Sequence, residues 1–137
     1  MTFETFEHTA DLGLRIRAAD LPTLFADAAR GLFALIVVNV NTVRAAEPFT
    51  ILLAAESTDL LLFDWLSELL VAYETRHLLF SRFEVDLNDN GLRATAWGEP
   101  LDRARHVLDH EVKAITYHGL KVERAGNAWL AEVIVDI

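Results

Sequence analysis

The sequence predicts an α+β fold, a mainly antiparallel sheet with two helices packed on one face, formed by a single domain over residues 1–137. Three observations predict it. Segments with period-two apolar alternation surround only two segments with helical periodicity. Two tight-turn signals, Asn88-Asp89-Asn90-Gly91 and Ala125-Gly126-Asn127, each lie between strand-like runs. No repeat, low-complexity tract or linker divides the chain.

The elements follow in order. Phe3–His8 alternates in part, and Leu12–Ala18 sets Leu12, Leu14 and Ile16 against Gly13, Arg15 and Arg17, as in a half-buried strand. Asp20 opens a helix as its N-cap, with Pro22 in the first turn. Leu21, Leu24, Phe25, Ala28, Leu32 and Leu35 recur at helical spacing, and the helix ends near Val37. Phe49–Ala55 reads as a strand. Ser57 or Thr58 caps a second helix, with Asp59 in its first turn and Leu62, Trp65, Leu66, Leu69 and Tyr73 as its buried stripe. Leu79–Leu87 and Leu92–Trp97 form one hairpin, whose Asn-Gly pair favours positive φ angles. Leu120–Arg124 and Trp129–Ile137 form a second. Glu111–His118 fits either a strand or a short helical turn.

Composition restricts the function classes. With 53% hydrophobic residues in 137, the chain has enough apolar surface for a sizeable core; a domain of this size buries roughly two-thirds of what it exposes when unfolded. The absence of cysteine excludes disulfides and thiolate metal sites and fits a reducing compartment. No apolar run reaches the roughly 18 to 20 residues of a membrane span, and Met1-Thr2-Phe3-Glu4 lacks signal-peptide character, so a soluble cytoplasmic protein is expected. The net charge of −9 would repel a polyanion, which argues against strong direct nucleic-acid binding. A basic partner or a hard cation suits it better. The plainer alternative is that acidity only maintains solubility.

Phosphate-loop, nucleophile-elbow and His-Glu-x-x-His motifs are all missing, which weighs against the common enzyme classes. Asp11 lies between two strands; either it bonds its own turn or it has a role in a site. Asp136 ends the apolar run Val133–Val135, beside the α-carboxylate expected on Ile137. Two anions at the end of an apolar strand repel unless neutralised, and Ca²⁺ or Mg²⁺ with oxygen ligands would do so; the alternative is a terminus that frays into water. Asp64 and Glu68 share a helix face at i and i+4, for a cation, a basic partner or plain solvation. Lys113, one of two lysines, either meets a phosphate or partner or pairs locally with Glu111 or Asp109. His8, His106, His110 and His118 match no zinc spacing and read as structural or supporting residues.

Four segments together resemble the archease family: His8–Leu14, Leu62–Leu70, Gly98-Glu99 followed by Glu111–His118, and the closing Val133–Ile137. They span the whole length in the family's order. Leu12 stands where isoleucine is usual and Phe63 where valine is common, and the Val37–Pro48 connection matches no motif. The resemblance implies a non-enzymatic activator of the GTP-dependent RNA ligase RtcB, which joins the halves of spliced tRNA. Such an activator promotes guanylylation of the ligase's active-site histidine, restores turnover and broadens nucleotide use. It implies a divalent-metal site at Asp11, Asp136 and Ile137, the last through its terminal carboxylate, with calcium bound, or magnesium or manganese in use. It also makes Asp64 and Lys113 candidates for contacts with the ligase or for supporting the metal site. The competing expectations are a chaperone or modulator of nucleic-acid enzymes and a metal-dependent hydrolase.

Overall fold

The computed structural model describes residues 3–8 and 11–137, Glu7 and His8 by their backbone alone. In chain order the elements are β1 (Phe3–His8), β2 (Asp11–Ala18), α1 (Leu21–Ile36), a 3-10 turn (Val40–Thr42), β3 (Glu47–Leu53), α2 (Thr58–Arg76), β4 (Leu78–Asn88), β5 (Gly91–Pro100), β6 (Ala114–Ile115), β7 (Lys121–Ala125) and β8 (Ala128–Asp136). Every strand pairing among them is antiparallel. The strands divide between two sheets, a division that periodicity does not reveal. One sheet runs β1-β2-β8, with β6 and β7 sharing the far side of β8; the other runs β3-β5-β4.

The two helices tie the sheets into one core. α1 packs against β2 of the first sheet and β4 of the second. Its cap is the expected one: Asp20 accepts the Thr23 amide at 2.8 Å. Phe33 reaches across to Phe80 and Phe83 of β4, with ring centroids 5.5 and 6.2 Å away. Ser57 caps α2 by accepting the Leu60 amide. The predicted α2 stripe is the buried one, and Leu62, Trp65, Leu66 and Leu69 have no exposed surface. Each such side chain contributes about 1.5–3 kcal/mol on burial. The Trp65 indole N–H also donates to the Phe25 carbonyl at 3.0 Å, joining α2 to α1.

Three local details come from the structure. The first hairpin turns on Asp89 and Asn90, because Asn88 and Gly91 are themselves register partners. Positive φ falls on Gly91 alone, and the Asn88 side chain supports the turn by accepting the Asn90 amide. Within Glu111–His118 only Ala114 and Ile115 pair as strand. α2 ends on His77, whose φ of 54° puts it in the left-handed region usually taken by glycine at a helix C-terminus. Among the described residues no helix is long and apolar enough to cross a membrane.

Candidate functional site

β8 is the central strand of the larger sheet, which is why it is so apolar: Val133 and Val135 are fully buried. Its neighbour β2 runs in the register Arg15↔Glu132, Gly13↔Ile134, Asp11↔Asp136. These residues all share the outward face, since side chains alternate along a strand. On that face the sheet pairs opposite charges in one row. Glu4, Arg15, Glu132 and Lys121 are successive register partners across β1, β2, β8 and β7. Arg15 lies 3.0 Å from Glu4 and 2.8 Å from Glu132, and Lys121 lies 2.8 Å from Glu132. The Lys121 hydrogen bond holds the Glu132 carboxyl below its ordinary range, against partial burial, and Arg15 adds to the effect.

Four positions further along the strands, at the sheet's end, the rule is broken. Asp11 and Asp136 are direct register partners, two carboxylates on one face. Cβ atoms of such pairs lie about 4.5–5.5 Å apart, and like charges there are unfavourable. Both residues are half-buried, as is Ile137. The backbone of His8 pairs with Asp11 on one side and Ala114 with Asp136 on the other. The Lys113 amide donates to the Asp136 carbonyl at 2.8 Å. Three distant segments therefore meet here, carrying Asp11, Lys113, and Asp136 with Ile137. Among the described residues no three Asp, Glu or His side chains group closely enough to hold a metal unaided. Two opposed carboxylates supply hard oxygen donors that suit Ca²⁺ or Mg²⁺ and leave coordination positions for a terminal carboxylate, water or a partner.

Lys113 arrives through a long irregular connection after β5, and that connection is anchored by a residue given no role from sequence. Glu99 is buried, and its Oε2 accepts the Arg44 amide at 2.7 Å and faces His106 Nε2 at 3.0 Å. Its Oε1 accepts from the Arg105 guanidinium. The Asp102 amide donates to His106 Nδ1 at 2.9 Å, so the ring proton sits on Nε2 and points at Glu99. Burial pushes the Glu99 carboxyl up, but the Arg44 amide, His106 and Arg105 together outweigh it and hold it low. Asn39 extends the clamp by donating to the Arg105 carbonyl and accepting the Val107 amide, each at 2.8 Å. His106 is structural, as its spacing suggested. The Gly98-Glu99 segment of the family motif was the available signal for Glu99.

The surroundings of the remaining candidate side chains differ. Lys113 is exposed and makes no ion pair with Glu111 or Asp109 among the described residues. It borders a groove of about 580 Å³ together with Tyr73, His77, Arg103 and His110. Asp64 and Glu68 lie on the outward side of α2, Asp64 half-buried and Glu68 exposed. Neither forms an ion pair with another described residue. The Thr9-Ala10 part of the first motif lies outside the described residues.

Residues 3–137 match the model of the Archease protein family. A protein archease of Methanopyrus kandleri is 43% identical over a 143-residue alignment that covers 100% of both chains. One from Pyrococcus abyssi is 39% identical, with 98% of each chain covered. The solution structure of protein 1598 of Methanobacterium thermoautotrophicum is 37% identical, superposes with a TM-score of 0.85 and covers 98% of both chains. The crystal structure of a Thermotoga maritima archease, named a possible chaperone, shares the fold with a TM-score of 0.66 at 22% identity, covering 98% of this chain and 96% of that one.

Proposed function

This chain belongs to the archease family, and on that premise we propose that it activates a GTP-dependent RNA ligase of the RtcB type without catalysing a reaction itself. In this reading it acts in the cytoplasm in tRNA splicing, promotes guanylylation of the ligase, sustains multiple turnover and broadens nucleotide use. The observation that carries the reading is the meeting of Asp11 with Asp136, beside Lys113, at one end of the larger sheet. Opposed carboxylates supply hard oxygen donors, which suits cation holding. Asp11, Asp136 and a terminal carboxylate on Ile137 would hold a divalent cation, calcium foremost, with magnesium or manganese in use. Such an ion neutralises phosphate charge when bound near a nucleotide. Lys113 and Asp64 would contact the ligase, and the acidic surface would steer encounter with a partner basic enough to hold RNA.

A multiple-turnover ligation assay tests this. Stimulation by the wild type is expected, with its loss in Asp136→Asn and on appending one residue after Ile137. A wild-type chain that leaves ligase turnover unchanged, or that hydrolyses substrate alone, would overturn it.

A further inference from the structure

α2 is apolar on both sides. Its inner stripe is buried, yet its outer stripe carries Leu60, Phe63 and Val71 interleaved with Asp64 and Glu68. A helix packed on one side normally shows a polar outer face. Here Val71 is 51% exposed. Tyr117, 62% exposed, extends the patch by stacking on Phe63, with centroids 4.0 Å apart and planes 12° from parallel. One face of Tyr117 is thus covered by Phe63. The loop bearing it is firmly held: the Thr116 amide and hydroxyl both donate to the Ile134 carbonyl. α2 carries no cation before Arg76, and Asp64 and Glu68, like charges one turn apart, have no ion-pair partner among the described residues.

We propose that this face of α2, with Tyr117, docks a basic amphipathic helix of a partner protein. Apolar side chains one turn apart would lie between Leu60, Phe63 and Val71, with flanking Arg or Lys on Asp64, Glu68 and the Tyr117 ring. Positions 60 to 71 extend about 16 Å along the axis, the length of three helical turns. A second copy of this chain fits poorly, because a two-fold pairing of this face opposes carboxylates to carboxylates. RNA fits poorly for the same electrostatic reason. The inference rests on the activator reading only for the partner's identity as the ligase.

The test uses the full chain and a defined probe, a helical peptide with Leu at i, i+3 and i+4 flanked by Arg, beside a copy with Glu for Arg. NMR shift changes on adding the Arg peptide are expected at Leu60, Phe63, Asp64, Glu68, Val71 and Tyr117. Asp64→Lys combined with Glu68→Lys should weaken binding at least tenfold, and Tyr117→Ala severalfold. A control reversing Asp86 on β4 and Asp89 in the turn after it should change it less than twofold. Shifts elsewhere, equal weakening by the control, equal binding of the Glu peptide, or self-association through this face that Val71→Glu abolishes would each overturn the proposal. In the ligase assay, Asp64→Lys/Glu68→Lys should raise the half-saturating concentration; unchanged half-saturation counts against the docking face. Failure of the wild type to stimulate any ligase sinks the activator reading, while the peptide arm still decides the docking face.

Discussion

Asp11 and Asp136 oppose each other on the outward face of one antiparallel pair, four residues from the point where Arg15 and Glu132 form an opposite-charge pair on the same two strands. The sheet thus follows the cross-strand charge rule in its body and departs from it at its end. A cation between the carboxylates would remove the repulsion.

Divalent cation should therefore stabilise the folded chain. At a hundredfold excess over its Kd, a ligand specific for the folded state adds about 2.7 kcal/mol, so thermal unfolding should move up by several degrees with Ca²⁺ relative to EDTA. Asp136→Asn should lose that response. Equal melting of the wild type with and without cation would contradict the site.

Glu99 should matter for the connection that delivers Lys113. Glu99→Ala strips partners from the Arg44 amide, His106 and Arg105 at once. Removing one member of a buried charged network costs about 3–5 kcal/mol, measured here by urea unfolding. Glu99→Gln keeps the shape and should cost less. Amide hydrogen exchange should accelerate across residues 101–113 in either variant. Unaltered exchange there would show that the clamp is not what orders the connection.

Acid should weaken the fold through Glu132 and Glu99. Both carboxyls are held low in the folded state, so near their unfolded pKa of about 4.3 the unfolded chain binds more protons. Their stabilisation is present above that pH and is lost as pH falls through the folded values. Lys121 acts in the opposite sense. Its pKa is raised, chiefly by the Glu132 hydrogen bond, so its contribution persists below about 10.4 and fades only as pH rises through the folded value. Glu132→Gln should flatten part of the acid limb in urea midpoints taken from about pH 7 to pH 2.5; an acid limb identical to the wild type's would count against the pairing.

Two glycines should respond differently to alanine. A Cβ at Gly98 would lie 1.8 Å from the Leu79 carbonyl oxygen, next to the irregularity in β4 between Phe80 and Arg82. Backbone cannot move aside cheaply, so Gly98→Ala should cost at least about 2 kcal/mol. At Gly13 the obstacle is the tip of the Phe6 ring at 2.1 Å, on edge strand β1. That ring can swing, and Gly13→Ala should cost about 1 kcal/mol. Equal losses in chemical denaturation would refute the distinction.

Local pattern was enough to determine both helices, the principal strands, their order and the helix cap at Asp20, because periodicity and capping act within a few residues. It left Ser57 and Thr58 as alternative caps of α2 and Glu111–His118 open between strand and helical turn. The buried side of α2 was legible in the same way. The apolar residues of its outer side were also visible in the sequence, but that they stay uncovered follows only from the packing. Local pattern could not bring Asp11 to Asp136; the family resemblance implied a shared site, and the register of the whole sheet sets the two opposite each other across strands 125 positions apart. Tertiary structure also decided that β3, β4 and β5 form a separate sheet, and that Glu99 gathers Arg44, Arg105 and His106. Hydrogen-bond register and buried ion pairing are set by chain closure and by which polar groups lose water together, and no short window of sequence contains either.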